Sequence, residues 1–151
     1  MKTPLKHMLL LMLCFTFAAG FAQSNKAKPN IFSQFPETIS LSTETLSNSF
    51  TATKGKNITL AFSKEFTAAG TVSSNILKYG SLQTMTILLP GFNNAVFHLS
   101  RTSDAKKSLS YTGRIISNQS GDAYILRQDE KGNYELKKIQ TDTVLQDCFI
   151  H

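Results

Sequence analysis

The chain has no tryptophan, two cysteines and three histidines among its 151 residues, and these scarcities restrict its chemistry. A nucleophilic triad needs a histidine that is oriented by a carboxylate. His98 falls in a predicted strand, facing away from its apolar neighbours, and His151 is the terminal residue. Cys148 precedes His151 by three residues, but two ligands are too few for a structural zinc site. We therefore expect no catalytic residues, no metal, no cofactor and no enzymatic activity.

Motifs for glycan hydrolysis, phosphate binding and nucleic-acid binding are also missing. The acidic residues that a glycosidase would have to pair fall mostly in predicted turns, where turn chemistry explains them: Asp104, Asp122, Asp129, Glu130 and Asp142. No glycine-rich phosphate-binding motif occurs. The lysines lie in scattered pairs, whereas nucleic-acid-binding proteins usually concentrate them in one arm or stripe. We therefore expect no nucleic-acid partner.

The first 22 residues have the features of a secretory signal peptide. Lys2 and Lys6 precede an apolar block, and the small residues Gly20 and Ala22 mark a cleavage site before Gln23. The apolar block is shorter than the roughly 20 residues that span a bilayer, and no second apolar run follows. The sequence thus predicts a secreted or periplasmic protein without stable membrane insertion. Its mature net charge is +4, from 14 basic and 10 acidic side chains.

Cysteine content restricts the mature protein further. Cys14 leaves with the signal peptide, so Cys148 is the only mature cysteine and no internal disulfide can form. An unpaired cysteine of this kind is buried and inert, pairs with another chain or is a reactive thiol. The adjacent Phe149 and Ile150 favour burial in a last strand, within residues 143–150.

About 128 residues remain after the leader, enough for one domain with its own core. Residues 23–56 are polar and rich in serine and threonine, and they are predicted to form a partly ordered lead-in. Its phenylalanines indicate that part of it packs against the domain. Residues 42–46 fit a short helix or an irregular strand equally well, because periodicity does not decide. Residues 57–151 are predicted to form a β domain.

Short alternating segments separated by turn residues fill this β domain. Residues 81–89 alternate Gln83, Met85, Ile87 and Leu89 with Leu82, Thr84, Thr86 and Leu88, so that the end of the run is apolar on both faces. Gly70 marks a bulge or a close approach. Residues 109–140 form three such runs with two polar, glycine-containing breaks, which predicts a β-meander. About eight segments recur at intervals of roughly 8 to 12 residues, and this predicts an all-β fold, an antiparallel barrel or sandwich.

The layout resembles that of the potempins, small β-barrel protease inhibitors that Bacteroidota make beside their secreted proteases. The shared features are a leader that ends in Phe-Ala-Gln at residues 21–23, a lead-in rich in serine and threonine, and a compact β domain of about 95 residues. The resemblance is one of layout, and no inhibitory motif matches residue by residue. It implies a monomeric, non-catalytic domain that acts as an inhibitor or propeptide-like partner of a secreted protease.

The turn at residues 89–94 is the predicted binding site on this interpretation. An apolar pair that runs into Pro-Gly-Phe is costly to expose without a partner, so the candidate binding residues are Leu89, Pro90, Gly91, Phe92, Asn93 and Asn94. The structural alternative is that Leu89 and Phe92 cap one end of the core.

A second functional hypothesis is a glycan- or lipid-binding surface module of the cell envelope. Sugars generally stack on exposed tryptophan or tyrosine rings. The chain has four tyrosines, and three of them fall in predicted core strands: Tyr111, Tyr124 and Tyr134. This hypothesis therefore ranks second to binding of a protein.

Overall fold

A computed structural model describes residues 27–104 and 108–141 of the chain. The predicted signal peptide, the predicted last strand within residues 143–150, Cys148 and His151 lie outside these described residues. Within the described part, the secondary structure consists of eight strands, one α-helix and one short 3-10 helix.

The strands form one antiparallel sheet that curls into a half-barrel. Their bounds are β1 (Thr38–Leu41), β2 (Asn57–Ala61), β3 (Thr67–Lys78), β4 (Leu82–Leu89), β5 (Ala95–Ser103), β6 (Leu109–Ile116), β7 (Asp122–Gln128) and β8 (Tyr134–Gln140). Their order across the sheet is β1-β8-β7-β6-β5-β4-β3-β2. The all-β prediction and the predicted meander are thus confirmed, with one curled sheet in place of a two-layered sandwich.

Alternating residues on each strand place one apolar face on the inside of the curl. On β4, Met85, Ile87 and Leu89 are buried, and they pair across the strand boundary with Leu99, Phe97 and Ala95 of β5. Gly70 makes the predicted close approach, because the β3 backbone at this position lies directly against the Ile87 and Leu89 side chains of β4. The register shift of β3 lies instead between Val72 and Ser74.

An aromatic cluster fills one end of the curl. Phe66 lies at its centre, with ring centroids 4.4 Å from Phe35, 4.9 Å from Phe62 and 5.7 Å from Tyr124. Phe32 is completely buried and packs edge-on against Tyr124 at 5.3 Å. Aromatic rings of this size bury a large apolar area, so the interior at this end is filled by side chains.

The lead-in contributes to the same sheet and core before Asn57. Strand β1 pairs with β8, with Ile39 opposite Leu136. The helix α1 (Thr43–Ser49) follows, so residues 42–46 adopt the helical alternative. Ser42 caps it, because its hydroxyl accepts a hydrogen bond from the Thr45 backbone N–H at 3.0 Å.

Strand β1 is also fixed by polar contacts with the rest of the sheet. The Lys138 ammonium group donates to the Phe35 carbonyl at 2.6 Å and forms an ion pair with Glu37 at 3.0 Å. The Tyr124 hydroxyl donates to the Pro36 carbonyl. Two side chains on β7 and β8, Tyr124 and Lys138, thereby make three polar contacts with the chain that enters β1.

Candidate functional site

The predicted site lies in the connection between β4 and β5, where a 3-10 helix (Pro90–Phe92) is followed by two asparagines. The residues that flank it, Leu89 and Ala95, have no exposed surface. Pro90 and Gly91 are exposed, as is Asn93. The connection is therefore a short surface loop, residues 90–94, that begins and ends at completely buried positions.

Phe92 anchors the middle of this loop. Its ring lies 5.4 Å from the Phe66 ring and 5.8 Å from the Phe32 ring, measured between centroids, and it stays partly exposed. The 90–94 loop is thus joined to the aromatic cluster between its two buried ends.

The second half of the loop has an unusual backbone conformation. Asn93 and Asn94 both have positive φ, 50° and 53°, in the left-handed region that asparagine tolerates better than most residues. The Ser117 hydroxyl donates a hydrogen bond to the Asn93 carbonyl at 3.3 Å. This bond connects the loop to the end of β6 and restricts its conformation.

Two of the six predicted binding residues have roles in packing. Leu89 is completely buried and cannot contact a partner in this conformation. Phe92 is partly buried against the core, as the structural alternative expected for both residues. The loop surface therefore consists of Pro90, Gly91, Asn93 and Asn94, with one face of the Phe92 ring.

A shallow cleft of about 370 Å³ adjoins the loop on the side of β2 and β3. Its lining residues include Pro90 and Gly91 of the loop and Ile58, Thr59 and Gly70 of the two strands. A second cleft of about 420 Å³ is lined in part by Asn94, Val96, His98 and Ile116. Residues of the loop therefore contribute to two clefts.

His98 faces outward from β5, as its position in the alternation predicts. Its Nδ1 atom lies 3.4 Å from the Thr86 hydroxyl. Partial burial lowers the pKa of His98, and the positive charge of Arg114 lowers it further. Among residues 27–104 and 108–141, no group of three or more His, Cys, Asp or Glu side chains is placed to hold a metal ion.

Asp122 has a structural role that the sequence did not indicate. It is completely buried at the start of β7, where its carboxylate accepts the Ser120 hydroxyl at 2.6 Å and the Phe32 backbone N–H at 2.9 Å. The Ser120 Oγ atom also lies 3.2 Å from the Pro29 carbonyl oxygen, so its single proton is shared between the Asp122 carboxylate and this carbonyl. The sequence predicts only turn chemistry for Asp122, because nothing local indicates a partner 90 residues earlier in the chain.

The fold and this loop define a small antiparallel β domain that presents a preformed surface loop beside two clefts. Comparison with protein-family models, with curated proteins and with solved structures finds no match for this chain. In the described part of the chain, no helix has the length and apolar character needed to cross a membrane.

Proposed function

We propose that the chain is a non-catalytic, exported protein-binding domain that inhibits or accompanies a secreted protease. The 90–94 loop would be the contact surface, through Pro90, Gly91, Asn93 and Asn94. The observation that carries this proposal is the way in which the loop is held. Leu89 and Ala95 are completely buried at its ends, and Phe92 packs against the aromatic cluster at its centre.

Such a loop suits recognition because little conformational entropy is lost when a partner binds it. A rigid loop is already close to its bound shape, so more of the contact energy appears as affinity. Within the described residues, the Asn93 and Asn94 side chains make no hydrogen bond with the rest of the fold, whereas Leu89 and Phe92 hold the loop in place by packing. The residues that would contact a partner thus differ from those that hold the loop in place.

The glycan-binding alternative has less support. Tyr79 is 92% exposed, but Tyr111, Tyr124 and Tyr134 are each at most 5% exposed. One exposed ring does not make a groove in which sugars stack. The aromatic side chains that fill one end of the curl also leave little room there for a lipid.

An inhibition assay tests the proposal. The purified mature protein is titrated into a panel of secreted metalloproteases and serine proteases, and inhibition constants are measured. We expect micromolar or tighter inhibition of at least one enzyme. The Gly91→Arg variant should weaken that inhibition about tenfold or more, because a bulky side chain at the centre of the contact prevents close approach.

Gly91 is suited to this substitution because an added Cβ would meet no atom within 4 Å. The matched control is Tyr79→Ala, at the other end of β4, which should leave inhibition unchanged. A panel in which no protease is inhibited would count against the protease as partner. Inhibition that Gly91→Arg leaves intact would show that the loop is not the contact surface.

A further inference from the structure

The two edges of the curled sheet, β1 and β2, are not paired with each other. On β2, the register with β3 determines which backbone groups face the open side. The Phe62 N–H donates to the Phe66 carbonyl at 3.0 Å, and the Val72 N–H donates to the Lys56 carbonyl at 2.9 Å. Antiparallel pairs alternate between hydrogen-bonded and non-hydrogen-bonded positions. The N–H and C=O groups of Asn57, Thr59 and Ala61 therefore point away from β3.

Within the described residues, no hydrogen bond satisfies these outward backbone groups. Exposed edges of this kind attract other strands, and natural proteins usually protect them with charged residues, proline or a bulge. The β2 sequence, NITLA, contains neither a charged residue nor a proline, and its pairing with β3 has no register shift. The β2 edge thus has free backbone groups and carries none of these three kinds of protection.

A cleft of about 370 Å³ runs beside this edge. Thr45, Asn48 and Ala52, from α1 and the turn after it, line one side, and Thr59, Leu60 and Ala61 of β2 line the other. None of the residues that line the cleft is charged. The β1 edge differs, because the ion pair between Glu37 and Lys138 lies at its start.

We propose that the β2 edge accepts an uncharged, extended segment of a protein partner as an added ninth strand. The free N–H and C=O groups would supply main-chain hydrogen bonds, as in other cases of strand addition. The neutral cleft between α1 and β2 would take the side chains. This inference rests on the proposed function, because it requires that the partner be a protein.

The position of the edge relative to the 90–94 loop supports a protein partner. Ile58 and Thr59 line both this cleft and the cleft beside Pro90 and Gly91. A partner seated on the loop would therefore reach the β2 edge without a gap between the two surfaces. The loop and the edge would form one continuous contact region.

The test uses a fluorescent peptide, acetyl-Thr-Val-Thr-Val-Thr-amide, and measures its binding by anisotropy. The variant is Thr59→Pro, which removes one outward N–H and leaves the bonds between β2 and β3 intact, since proline is tolerated on edge strands. We expect it to weaken binding about tenfold or more. The matched control is Ser40→Pro on β1, where the N–H also points away from the sheet; it should bind as the wild-type protein does.

A second measurement does not depend on how the variants fold. A peptide with N-methylated backbone nitrogens cannot donate hydrogen bonds along the edge, so it should bind the wild-type protein at least about tenfold more weakly. Equal binding of both peptides, or no binding of either, would overturn the proposal. Dimerisation of the wild-type protein that Thr59→Pro abolishes, measured by light scattering, would overturn it in favour of a second copy.

The outcome can be separated from that of the proposed function. Gly91→Arg tests the loop through protease inhibition, and Thr59→Pro tests the edge through peptide binding. Loss of peptide binding in Thr59→Pro together with undiminished inhibition would show that the protease does not use the edge, and it would overturn only this inference. Absence of inhibition alongside strand-specific peptide binding would instead refute the protease and keep the edge site.

Discussion

At Gly70 the absence of a side chain allows β3 to approach β4 closely. A Cβ atom at this position would lie 2.6 Å from Ile87 Cγ2, 2.7 Å from Leu89 Cδ2 and 2.9 Å from the Leu88 carbonyl oxygen. Backbone and packed core atoms cannot move aside as a flexible surface side chain can. The position therefore requires glycine for reasons of space.

We expect Gly70→Ala to lower the free energy of unfolding by about 1–3 kcal/mol, the usual effect of overpacking a core. Urea denaturation followed by fluorescence or circular dichroism would measure this change. Gly91→Ala is the matched control, because no atom lies within 4 Å of its added Cβ. Equal stability of the two variants would contradict the close approach of β3 to β4.

At the scale of the elements, the N-terminal segment that leads into β1 makes one of its contacts with a completely buried carboxylate. Asp122 accepts the Phe32 N–H at 2.9 Å, and the Phe32 ring is part of the aromatic cluster. Removing the carboxylate leaves the buried N–H without a partner, which costs about 1–3 kcal/mol. We expect Asp122→Ala to lower stability by this amount and to accelerate hydrogen exchange at the Phe32 amide.

Native-state hydrogen exchange monitored by NMR would test this expectation. The control is Glu130→Ala, in the exposed turn between β7 and β8, which should leave both stability and the Phe32 exchange rate unchanged. Unaltered Phe32 protection in Asp122→Ala would show that the ring packing alone holds the segment.

The strands that could be predicted from the sequence are those in which apolar side chains alternate along the strand itself. Alternation places Met85, Ile87 and Leu89 on one face, and the structure buries all three. Strand β1 was missed because its four residues carry only two apolar side chains, and its partner β8 lies about a hundred residues later. The helix α1 spans seven residues, too few for periodicity to decide, so its formation depends on the Ser42 cap and on the burial of Leu46.

The position of the turn that carries the candidate site was predictable, but its packing was not. Proline, glycine and two asparagines indicated a surface turn after β4, and the structure has one there. The packing of Phe92 against Phe32 could not be predicted from the residues around Phe92, because the two phenylalanines are 60 positions apart in the chain. The position of β2 at an edge of the sheet could not be predicted either, because it depends on the order in which the strands pair.

On the scale of the whole molecule, a buried tyrosine couples global stability to alkaline pH. Burial, together with the negative charges of Glu37 and Asp122, raises the pKa of Tyr124 to about 12 from its ordinary value of 10.0. Between these two pKa values the unfolded chain releases this proton and the folded chain keeps it. The contribution of the neutral Tyr124 hydroxyl to the free energy of unfolding is therefore complete below pH 10.0, and it decreases as the pH rises towards 12.

We expect Tyr124→Phe to lose this part of the alkaline dependence. It should be less stable than the wild-type protein at neutral pH, because it lacks the hydrogen bond to the Pro36 carbonyl. The difference should shrink as the pH rises above 10.0. Unfolding free energies measured at several pH values would test this, and a difference that stays constant to the highest pH would contradict it.

The position of β1 beside β8 determines the order in which the domain can be completed. From β2 to β8 every neighbouring pair of strands is consecutive in the chain, so these strands can pair through short hairpins as they appear. Strand β1 precedes all of them in the chain, yet among the described strands it pairs only with the last one, β8. Pairings between distant segments form late because closing a long loop is costly in entropy. Of the described strands, β1 is therefore synthesised first but pairs last. Until it pairs, the backbone groups of β8 on that side have no partner strand.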